Sequence, residues 1–488
     1  MTDNVRQIFV DGSWTDAGTD EVDIVINPAT EQTIAQVGRA SREDAMRALR
    51  AARKAFDEGP WGRTSTRERA DILRRMGEIM QRRSEEIAAL NVAEAGSVGW
   101  QSQVVHTNFP IDAWMDMVDR TLPAYSFERP LTPMAGMGGL TQGVVRQRPA
   151  GVAALITGYN FPFFLNLFKL GPALAAGCTT VLKPSPYTPL EALVLGEIAE
   201  EAGLPAGVLN VLTGDVEVGE LLTTSPLVDM VSFTGSDIVG SKIATQAAPS
   251  FKRVVLELGG KSASIIRADA DLEKAIADVL LNSTIQAGQG CSLTTRTFVH
   301  RSIFDEVVSA TSKAMQAMKI GDPADATVEM GPLIREAQRA KVEALIAKGI
   351  EEGGELVTGG GRPAGLDKGF YVEPTLFTNV DNTSTIATTE FFGPVQIINA
   401  FDTDEEAVAL ANESLYGLGG GIWSKDAGRA YDMAKQIRSG FVTINGQGGF
   451  NLDAPFGGFG ASGIGRERGP EAIGEYLQST TVTWGCGA

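Results

Sequence analysis

The stretch Val152-Ala-Ala-Leu-Ile156 is the first of a series of short apolar runs that are separated by segments of helical character. The other members of the series are residues 179–182, 208–212, 230–233 and 254–257. Strands of a parallel sheet read as continuous apolar runs because helices cover both of its faces. The series therefore predicts an α/β fold that is built on a parallel sheet.

Glycine turns follow several of the predicted strands. They lie at Gly158, Gly214, Gly235 and Gly259. Open parallel sheets bind ligands at the carboxyl ends of their strands, where turns of this kind lie. Residues 237–248, after the turn at Gly235, have helical character, and a helix N-terminus offers free N–H groups to a pyrophosphate. Ser236 is explained equally well as an ordinary helix cap.

A second α/β region is predicted after Lys261. Its expected elements are a helix that begins near Asp271, a helix over residues 336–350, a strand at residues 295–299 and a strand near Val395. The run Phe441-Val-Thr-Ile-Asn445 is rich in β-branched residues. It predicts a further strand, which leads back toward a glycine-rich loop at Pro455.

The remaining parts of the chain predict helices followed by exposed strands. Ser65 and Glu68 have the spacing of a capping box, and apolar residues at helical spacing follow them. Proline and glycine in residues 122–139 break this periodicity, and residues 140–148 then alternate like an exposed strand. Residues 479–484, close to the C-terminus, are also strand-like.

Composition limits the class of protein. The chain has 488 residues, 43% apolar and 21% charged, which predicts a globular protein of more than one domain. The net charge of −18 disfavours nucleic acid and anionic membranes as partners, because both require a basic surface. The polar start lacks the apolar core of a signal peptide, and no apolar stretch is long enough to span a bilayer.

Cysteine and histidine are scarce. The 3 cysteines cannot form a disulfide framework for a chain of this size, so we expect the reducing environment of the cytoplasm. The 2 histidines, His106 and His300, do not have the spacing of metal ligands. We therefore expect no metal site.

Cys291 is the best candidate for a nucleophile. It lies in Gln286-Ala-Gly-Gln-Gly-Cys291-Ser292, where glycines leave the backbone free to approach a substrate and to donate N–H groups to an anion. The plain alternative is a small buried residue without a chemical role, which is the commoner use of cysteine.

Two glycine-rich segments resemble phosphate-binding motifs without the required context. Gly458-Phe-Gly-Ala-Ser-Gly463 satisfies GxGxxG, but no βαβ unit with a following acidic residue surrounds it, so we interpret it as a loop that closes over the active site. Gly260-Lys-Ser262 ends like a P-loop, but Val255 occupies the place of the first glycine. ATP binding is therefore not predicted.

Further motifs follow one another in a definite order. They are Thr157-Gly-Tyr-Asn-Phe-Pro162, Phe233-Thr-Gly-Ser236, Glu257-Leu-Gly-Gly-Lys261, Met330-Gly-Pro-Leu333, Glu390-Phe-Phe-Gly-Pro394, Pro455-Phe-Gly-Gly458 and Ser462-Gly-Ile-Gly-Arg-Glu467. With Cys291 among them, the chain resembles the aldehyde dehydrogenase superfamily, in its non-acylating, NAD(P)-dependent branch. The resemblance extends nearly from end to end.

The resemblance implies a Rossmann-like cofactor domain with a parallel sheet, a second α/β catalytic domain and a small β oligomerisation element. We expect the cofactor domain at residues 1–124 and 149–257, the catalytic domain at residues 258–440 and the oligomerisation element at residues 125–148 and 471–488. Residues 441–470 are expected to form the returning strand and an active-site loop.

The resemblance also implies that an aldehyde is oxidised to its carboxylic acid through a thioester on Cys291. In that chemistry Asn160 donates its side-chain amide, together with the Cys291 N–H, to the oxyanion, and Glu257 is the general base. Considered alone, Glu257 would be a solvated carboxylate at a strand end. Asn160 would be the cap of the helix that follows Pro162.

The implied cofactor is NAD, with NADP possible. The residues expected to contact it are Thr157, Gly158, Lys183, Ser185, Pro186, Phe233, Gly235, Ser236, Leu258, Glu390 and Phe392. Lys183 matches a residue that binds the adenosine ribose, and Glu390 one that binds the nicotinamide ribose. Many NAD-preferring relatives carry a glutamate at the place of Pro186, where it repels a 2′-phosphate. We therefore expect NAD to be favoured only modestly.

The implied aldehyde tunnel is apolar. Its expected lining residues are Phe161, Phe164, Leu165, Phe168, Phe450 and Phe456. Each would otherwise be a core residue. No arginine or lysine occurs among these positions to hold a second carboxylate, so the expected substrate is a hydrophobic or aromatic aldehyde.

Three alternatives remain open at this stage. The CoA-acylating branch of the superfamily generally lacks the glutamate found here as Glu257. A thiol esterase would use Cys291 without a redox cofactor, and a catalytically silent structural relative would use neither. The expected partner is a small aldehyde, and the expected assembly is a homodimer or homotetramer.

Overall fold

The structure is a computed structural model that describes residues 5–136, 139–446 and 451–486. Its strands in chain order are β1 (Ile8–Val10), β2 (Ser13–Thr15), β3 (Val22–Ile26), β4 (Thr33–Gly38), β5 (Glu128–Pro130), β6 (Met134–Gly136), β7 (Gly139–Pro149), β8 (Val152–Ile156), β9 (Thr179–Lys183), β10 (Leu209–Val211), β11 (Met230–Thr234), β12 (Arg253–Glu257), β13 (Ala263–Ile266), β14 (Arg296–His300), β15 (Glu355–Thr358), β16 (Thr375–Thr378), β17 (Val395–Phe401), β18 (Gly419–Trp423), β19 (Phe441–Ile444), β20 (Gly463–Ile464) and β21 (Leu477–Cys486).

The α-helices in chain order are α1 (Arg42–Asp57), α2 (Thr66–Arg82), α3 (Ser84–Ala95), α4 (Gly99–Gln101), α5 (Phe109–Asp116), α6 (Leu122–Ala124), α7 (Pro162–Ala176), α8 (Leu190–Ala202), α9 (Val216–Thr224), α10 (Asp237–Ala247), α11 (Leu272–Thr284), α12 (Phe304–Ala317), α13 (Glu336–Glu351), α14 (Thr385–Thr388), α15 (Asp404–Asn412), α16 (Ala427–Ala434) and α17 (Gly469–Glu475). Two π-helical turns, Ser102–Asn108 and Met117–Thr121, connect α4 to α5 and α5 to α6.

The first sheet contains the apolar series that begins at Val152. Among the described residues it has the strand order β2-β1-β10-β9-β8-β11-β12-β20. The five strands from β10 to β12 are parallel. This confirms the predicted parallel sheet, and the fully buried β8 and β9 explain why their sequences are continuously apolar.

The second sheet follows Lys261, as predicted. Its strand order within the described part of the chain is β15-β16-β17-β14-β13-β18-β19, and every neighbouring pair except β15 with β16 is parallel. The strands expected at residues 295–299, near Val395 and at residue 441 are β14, β17 and β19.

The predicted exposed strands form a third, antiparallel sheet. β7 pairs with β21 from Pro149↔Leu477 to Leu140↔Cys486, and β5 and β6 pair with the other edge of β7. A separate hairpin of β3 and β4 precedes α1. The strands expected at residues 140–148 and 479–484 are thus partners of each other.

Local signals agree with the helix boundaries. Ser65 Oγ accepts the Glu68 N–H while the Glu68 carboxylate accepts the Ser65 N–H, which confirms the capping box before α2. Asp271 caps α11 in a similar way. No helix within residues 5–136, 139–446 and 451–486 has the length and apolar content needed to cross a membrane.

Candidate active site

The carboxyl ends of four neighbouring strands bring the predicted cofactor and catalytic residues together. Ile156, at the end of β8, pairs with Lys183 on one side and with Phe233 on the other. On the next strand Thr234 pairs with Glu257. Parallel strands of similar length end at one edge, so this register places motifs that lie far apart in the chain side by side.

Cys291 follows a backbone turn of left-handed conformation. Gln286 has φ 50°, Ala287 has φ 51° and Gly288 has φ 72°. Residues other than glycine rarely adopt this region, and they do so where surrounding contacts hold them. The turn before Cys291 therefore needs contacts with the surrounding protein to hold its backbone conformation.

The side chain of Gln286 supplies these contacts. Its Nε2 donates to the Ala95 carbonyl at 2.9 Å, its Oε1 accepts from Ser97 Oγ, and its backbone N–H donates to Gln101 Oε1 at 3.0 Å. Helix α3 and the segment after it thus fix the turn that presents the cysteine.

Glycines allow three motifs to touch at this point. A Cβ atom on Gly260 would overlap the Cys291 carbonyl oxygen, and one on Gly288 would overlap the Gly393 carbonyl. The Glu257 motif, the cysteine turn and the Glu390 motif therefore approach one another through bare backbone.

Cys291 as a whole residue is partly exposed, but its thiol is surrounded by protein. Burial raises its pKa above the ordinary value for cysteine, and the charges of Glu390 and Glu257 raise it further. The thiol is therefore protonated at neutral pH, and a nucleophilic role requires a nearby proton acceptor.

Asn160 is buried and points at the cysteine turn. Its Nδ2 donates to the Gln289 carbonyl at 2.8 Å, which fixes the orientation of the amide group. Helix α7 begins at Pro162 with Phe161 at the N-cap and has no side-chain cap. The alternative role of Asn160 as a helix cap is therefore wrong.

Glu257 is a buried carboxylate, 2% exposed, and not the solvated turn residue that its position alone suggests. Neither of its carboxylate oxygens has a hydrogen-bond partner within the described part of the chain. Burial raises the pKa of Glu257 well above its ordinary value, the charge of Glu467 raises it further, and the charge of Lys169 opposes the rise. A carboxylate in this setting is a stronger base than a solvated one, which suits it to accept a proton.

The sequence reasoning did not assign roles to Lys169 and Glu467, which form a buried ion pair. Lys169 Nζ lies 2.5 Å from Glu467 Oε1 and donates to Ser232 Oγ at 3.0 Å. Lys169 is the one charged residue of the mainly apolar helix α7, and that isolated charge was a signal in the sequence. The pair lies beside Glu257 and contributes to its electrostatic environment.

A cavity of about 120 Å³ opens onto Cys291, Glu257 and Asn160. We call it the aldehyde chamber. Its apolar lining residues are Val105, Phe161, Phe164, Leu165, Leu281, Ile285, Leu293 and Phe456. Four of the expected tunnel residues are among them. Phe168 does not line the chamber but contacts Phe164, with 4.1 Å between ring centroids, and Phe450 lies outside the described residues.

Charged residues that the motifs did not indicate also line the chamber. They are Asp278, Glu467 and Arg468. The absence of a cation among the matched tunnel positions therefore did not mean the absence of a cation from the chamber. Arg468 directly follows the motif that ends at Glu467, and this adjacency was the signal in the sequence for its place in the chamber lining.

Closely packed turns lie at the strand ends where the nucleotide cofactor is expected to bind. Ser236 caps α10 by accepting the Val239 N–H, and Gly240 lies against Leu258, where a Cβ atom would not fit beside the leucine without 2.5 Å contacts. Glu390 Oε1 accepts the Gly260 N–H at 2.9 Å. Burial raises the pKa of Glu390 to about 7.

Lys183 and Phe392 are two further residues that are expected to contact the nucleotide cofactor. Lys183 is buried rather than solvated, and burial lowers its pKa to about 8 while the charges of Asp215 and Asp23 oppose the change. Phe392 contacts Tyr159 edge to face, with 5.8 Å between ring centroids.

Comparison with known proteins agrees with the family resemblance of the sequence. The sequence profile described as the aldehyde dehydrogenase family matches residues 14–482. Geranial dehydrogenase of Castellaniella defragrans is 39% identical over 99% of both chains.

Solved structures are similar over the same length. An aldehyde dehydrogenase of Mycobacterium tuberculosis in complex with NAD+ is 42% identical, with a TM-score of 0.93 over 98% of both chains. Aldehyde dehydrogenase C of Pseudomonas syringae, a mutant in complex with NAD+ and octanal, is 38% identical, with a TM-score of 0.92 over 98% of this chain and 96% of that one.

Proposed function

This chain belongs to the aldehyde dehydrogenase family, and we propose that it oxidises hydrophobic or aromatic aldehydes to carboxylic acids with NAD. The observation that carries the substrate class is the aldehyde chamber, whose wall beside Cys291 consists mainly of phenylalanine and aliphatic side chains. Two similar proteins, one named for geranial and one bound to octanal, act on or bind hydrophobic aldehydes and support the same class.

In the proposed first step the Cys291 sulfur bonds to the aldehyde carbon. The carbonyl oxygen gains the negative charge and accepts hydrogen bonds from the Asn160 amide and the Cys291 N–H. Asn160 has one N–H on the Gln289 carbonyl, so the orientation of its other N–H is set before substrate binds. The proton of the thiol passes to Glu257 or to water.

Release of the acid requires water, and Glu257 is the proposed base. NAD, when bound, supplies the hydride acceptor that converts the adduct on Cys291 into a thioester. Glu257 then takes a proton from a water molecule whose oxygen bonds to the thioester carbon, and the Cys291 sulfur leaves. Its raised pKa makes the carboxylate a stronger base for this proton.

The residues at the strand ends fit NAD. The N-terminus of α10, after Gly235, presents backbone N–H groups to the pyrophosphate, and Glu390 accepts from the nicotinamide ribose in our proposal. The remaining proposed contacts are Thr157, Gly158, Lys183, Ser185, Pro186, Phe233, Ser236, Leu258 and Phe392. Close packing of Gly240 on Leu258 supports the assignment, because it holds α10 against the strand end.

We also propose the domain limits and assembly that the sequence predicts. The cofactor domain comprises residues 1–124 and 149–257, the catalytic domain residues 258–440, and residues 441–470 return to the active site. Residues 125–148 and 471–488 form the oligomerisation element of a homodimer or homotetramer. Exposed apolar side chains on its sheet, Leu140, Val482 and Trp484, support this role.

One experiment separates this function from its alternatives. Purified protein is assayed for NADH formation and for hydrolysis of a nitrophenyl ester, with benzaldehyde, octanal and a charged aldehyde, each with and without CoA. We expect NADH formation from the hydrophobic aldehydes without CoA. Ester cleavage without NADH would support the thiol esterase, dependence on CoA the acylating branch, and neither activity a silent relative.

A further inference from the structure

Arg468 is a cation built into the wall of the aldehyde chamber. It is 7% exposed and lines the chamber beside Glu467. Its backbone has φ 66°, a left-handed conformation that is uncommon for a residue other than glycine. Helix α17 begins at the next residue, so the arginine is held where a loop meets a helix.

The guanidinium lies among aromatic side chains. Its carbon is 5.3 Å from the centroid of the Phe109 ring and 5.5 Å from that of Phe168. Its NH2 group donates to the Asn451 carbonyl. Phe168 contacts Phe164 of the chamber wall, so the cation is joined to the apolar lining through ring contacts.

Arg468 also lines a second, smaller cavity. This cavity of about 30 Å³ is lined by Arg468 together with Asp116, Trp114 and Leu452. Arg468 is therefore shared by the linings of both cavities.

Burial lowers the pKa of Arg468 to about 10, so the side chain is still positive at neutral pH. A buried cation is costly unless oxygen atoms or ring faces surround it. Guanidinium presents a planar fork of N–H donors, which suits contact with more than one oxygen at a time.

The charge of the chamber favours a neutral oxygen over an anion. Glu257, Asp278 and Glu467 line the same cavity. A substrate carboxylate would lose its hydration in this chamber and would be repelled by whichever of these acidic groups is ionised, whereas an ether, carbonyl or hydroxyl oxygen accepts a hydrogen bond without adding charge.

We propose that Arg468 determines specificity by donating a hydrogen bond to a neutral oxygen that the hydrophobic frame of the aldehyde carries away from its reacting carbon. The substrate class is then an oxygen-bearing hydrophobic aldehyde, such as an alkoxy-substituted aromatic aldehyde. This inference rests on the proposed function, because it specifies which aldehydes that function serves.

The test compares substrates that differ in one atom. Methoxybenzaldehydes and ethylbenzaldehydes, each substituted at the ortho, meta or para position, are similar in size, but only the former carry the acceptor oxygen. Their ratio of kcat/KM is measured for the wild-type enzyme, Arg468→Met and Arg468→Lys. Comparison between variants cancels the difference in intrinsic reactivity.

At one or more ring positions we expect the methoxy-to-ethyl ratio to fall by about 10-fold or more in Arg468→Met, mainly through KM of the methoxy substrate. The efficiency with the ethyl substrate should stay within about threefold, which reports an intact chamber. Arg468→Lys should lower the ratio by about threefold or more, because an ammonium group lacks the planar fork. This variant keeps the test available if the methionine variant does not fold.

Arg120→Met is the matched control. Arg120 pairs with Asp116 and with Asp453, which is close in sequence to Asn451. Arg120 is exposed, however, and does not line the chamber. Its ratio should equal that of the wild type.

If the methoxy-to-ethyl ratio is the same in the wild-type enzyme and in both Arg468 variants at every ring position, the inference about Arg468 is overturned, while the proposed function still stands. A carboxybenzaldehyde that outperforms its methoxy counterpart, with the advantage lost in Arg468→Met, would overturn the neutral acceptor in favour of an anion. A folded wild-type enzyme that oxidises none of these aldehydes would overturn the proposed function and the inference with it.

Discussion

The carboxylate of Glu257 lies directly against the backbone of Gly457. A Cβ atom at position 457 would be 2.6 Å from Glu257 Oε1, and Gly457 has φ 153°. The proposed general base therefore has its place because residue 457 has no side chain.

We expect Gly457→Ala to lower kcat by about 10- to 100-fold, because the added methyl group displaces the carboxylate from the water that it activates. The measurement is steady-state NADH formation, with folding checked by circular dichroism. Gly99→Ala is the matched control, since a Cβ atom there meets nothing within 4 Å. Full activity of a folded Gly457→Ala enzyme would show that the contact is unimportant for turnover.

Cys291→Ala should abolish NADH formation and ester cleavage together, because both depend on the same sulfur. Cys178→Ala is the control. Cys178 is buried in the core, and burial raises the pKa of its thiol to about 11, so its removal should leave activity within about threefold. Wild-type turnover by Cys291→Ala would refute the assignment of the nucleophile.

For Glu257→Gln we expect a burst of NADH in the first turnover followed by slow steady-state formation, because release of the acid loses its base while hydride transfer persists. Rapid-mixing absorbance measurements separate the two phases. Loss of the burst in a folded variant would mean that Glu257 already acts on the Cys291 proton.

The pH dependence of steady-state turnover tests the same carboxylate. Burial raises the pKa of Glu257 well above its ordinary value, so the group is protonated and inactive as a base at lower pH. Turnover should rise with pH as the carboxyl loses its proton, and this rise should be missing in Glu257→Gln. An identical rise in the variant would assign it to another group.

The identity of residue 186 should influence cofactor choice. We expect the wild-type enzyme to favour NAD modestly and to retain measurable NADP activity. Pro186→Glu should shift the ratio of kcat/KM further toward NAD, because a carboxylate accepts from the ribose hydroxyls and repels a 2′-phosphate. Pro226→Glu is the control, since Pro226 is exposed and precedes β11 at the opposite edge of the sheet. An unchanged ratio in Pro186→Glu would place this residue away from the ribose.

Small acidic aldehydes should be poor substrates. The chamber lining is mainly apolar, so a second carboxylate is costly to bury there. We expect kcat/KM for benzaldehyde or octanal to exceed that for succinic semialdehyde by about 10-fold or more. A higher value for succinic semialdehyde would contradict the proposed substrate class and would point to Arg468 as its carboxylate partner.

Much of the fold could be predicted because its signals are local. Ser65 and Glu68 are three positions apart, and their reciprocal bonds form as soon as one helical turn forms. The run at Val152 is continuously apolar because both of its faces are buried, and this burial is visible in the sequence itself.

The ends of the strands and helices were predicted less accurately than their presence. The run at residues 208–212 is a shorter strand, Leu209–Val211, and the run at residues 254–257 is part of a longer one, Arg253–Glu257. End residues form fewer backbone hydrogen bonds, and neighbouring chains decide where pairing stops.

By itself the sequence determined the two α/β regions, because they depend on residue type and short-range spacing, and it singled out Cys291 by its glycine-rich neighbours. The proposed roles of Glu257 and Asn160 came from the family resemblance. Only the tertiary structure decided the pairing of Lys169 with Glu467, which are 298 positions apart, and of Asn160 with the Gln289 carbonyl, 129 positions apart. It alone also brought Arg468 into the aldehyde chamber. Periodicity reports which side of an element is buried, whereas the partner that a buried polar group meets depends on how distant elements pack.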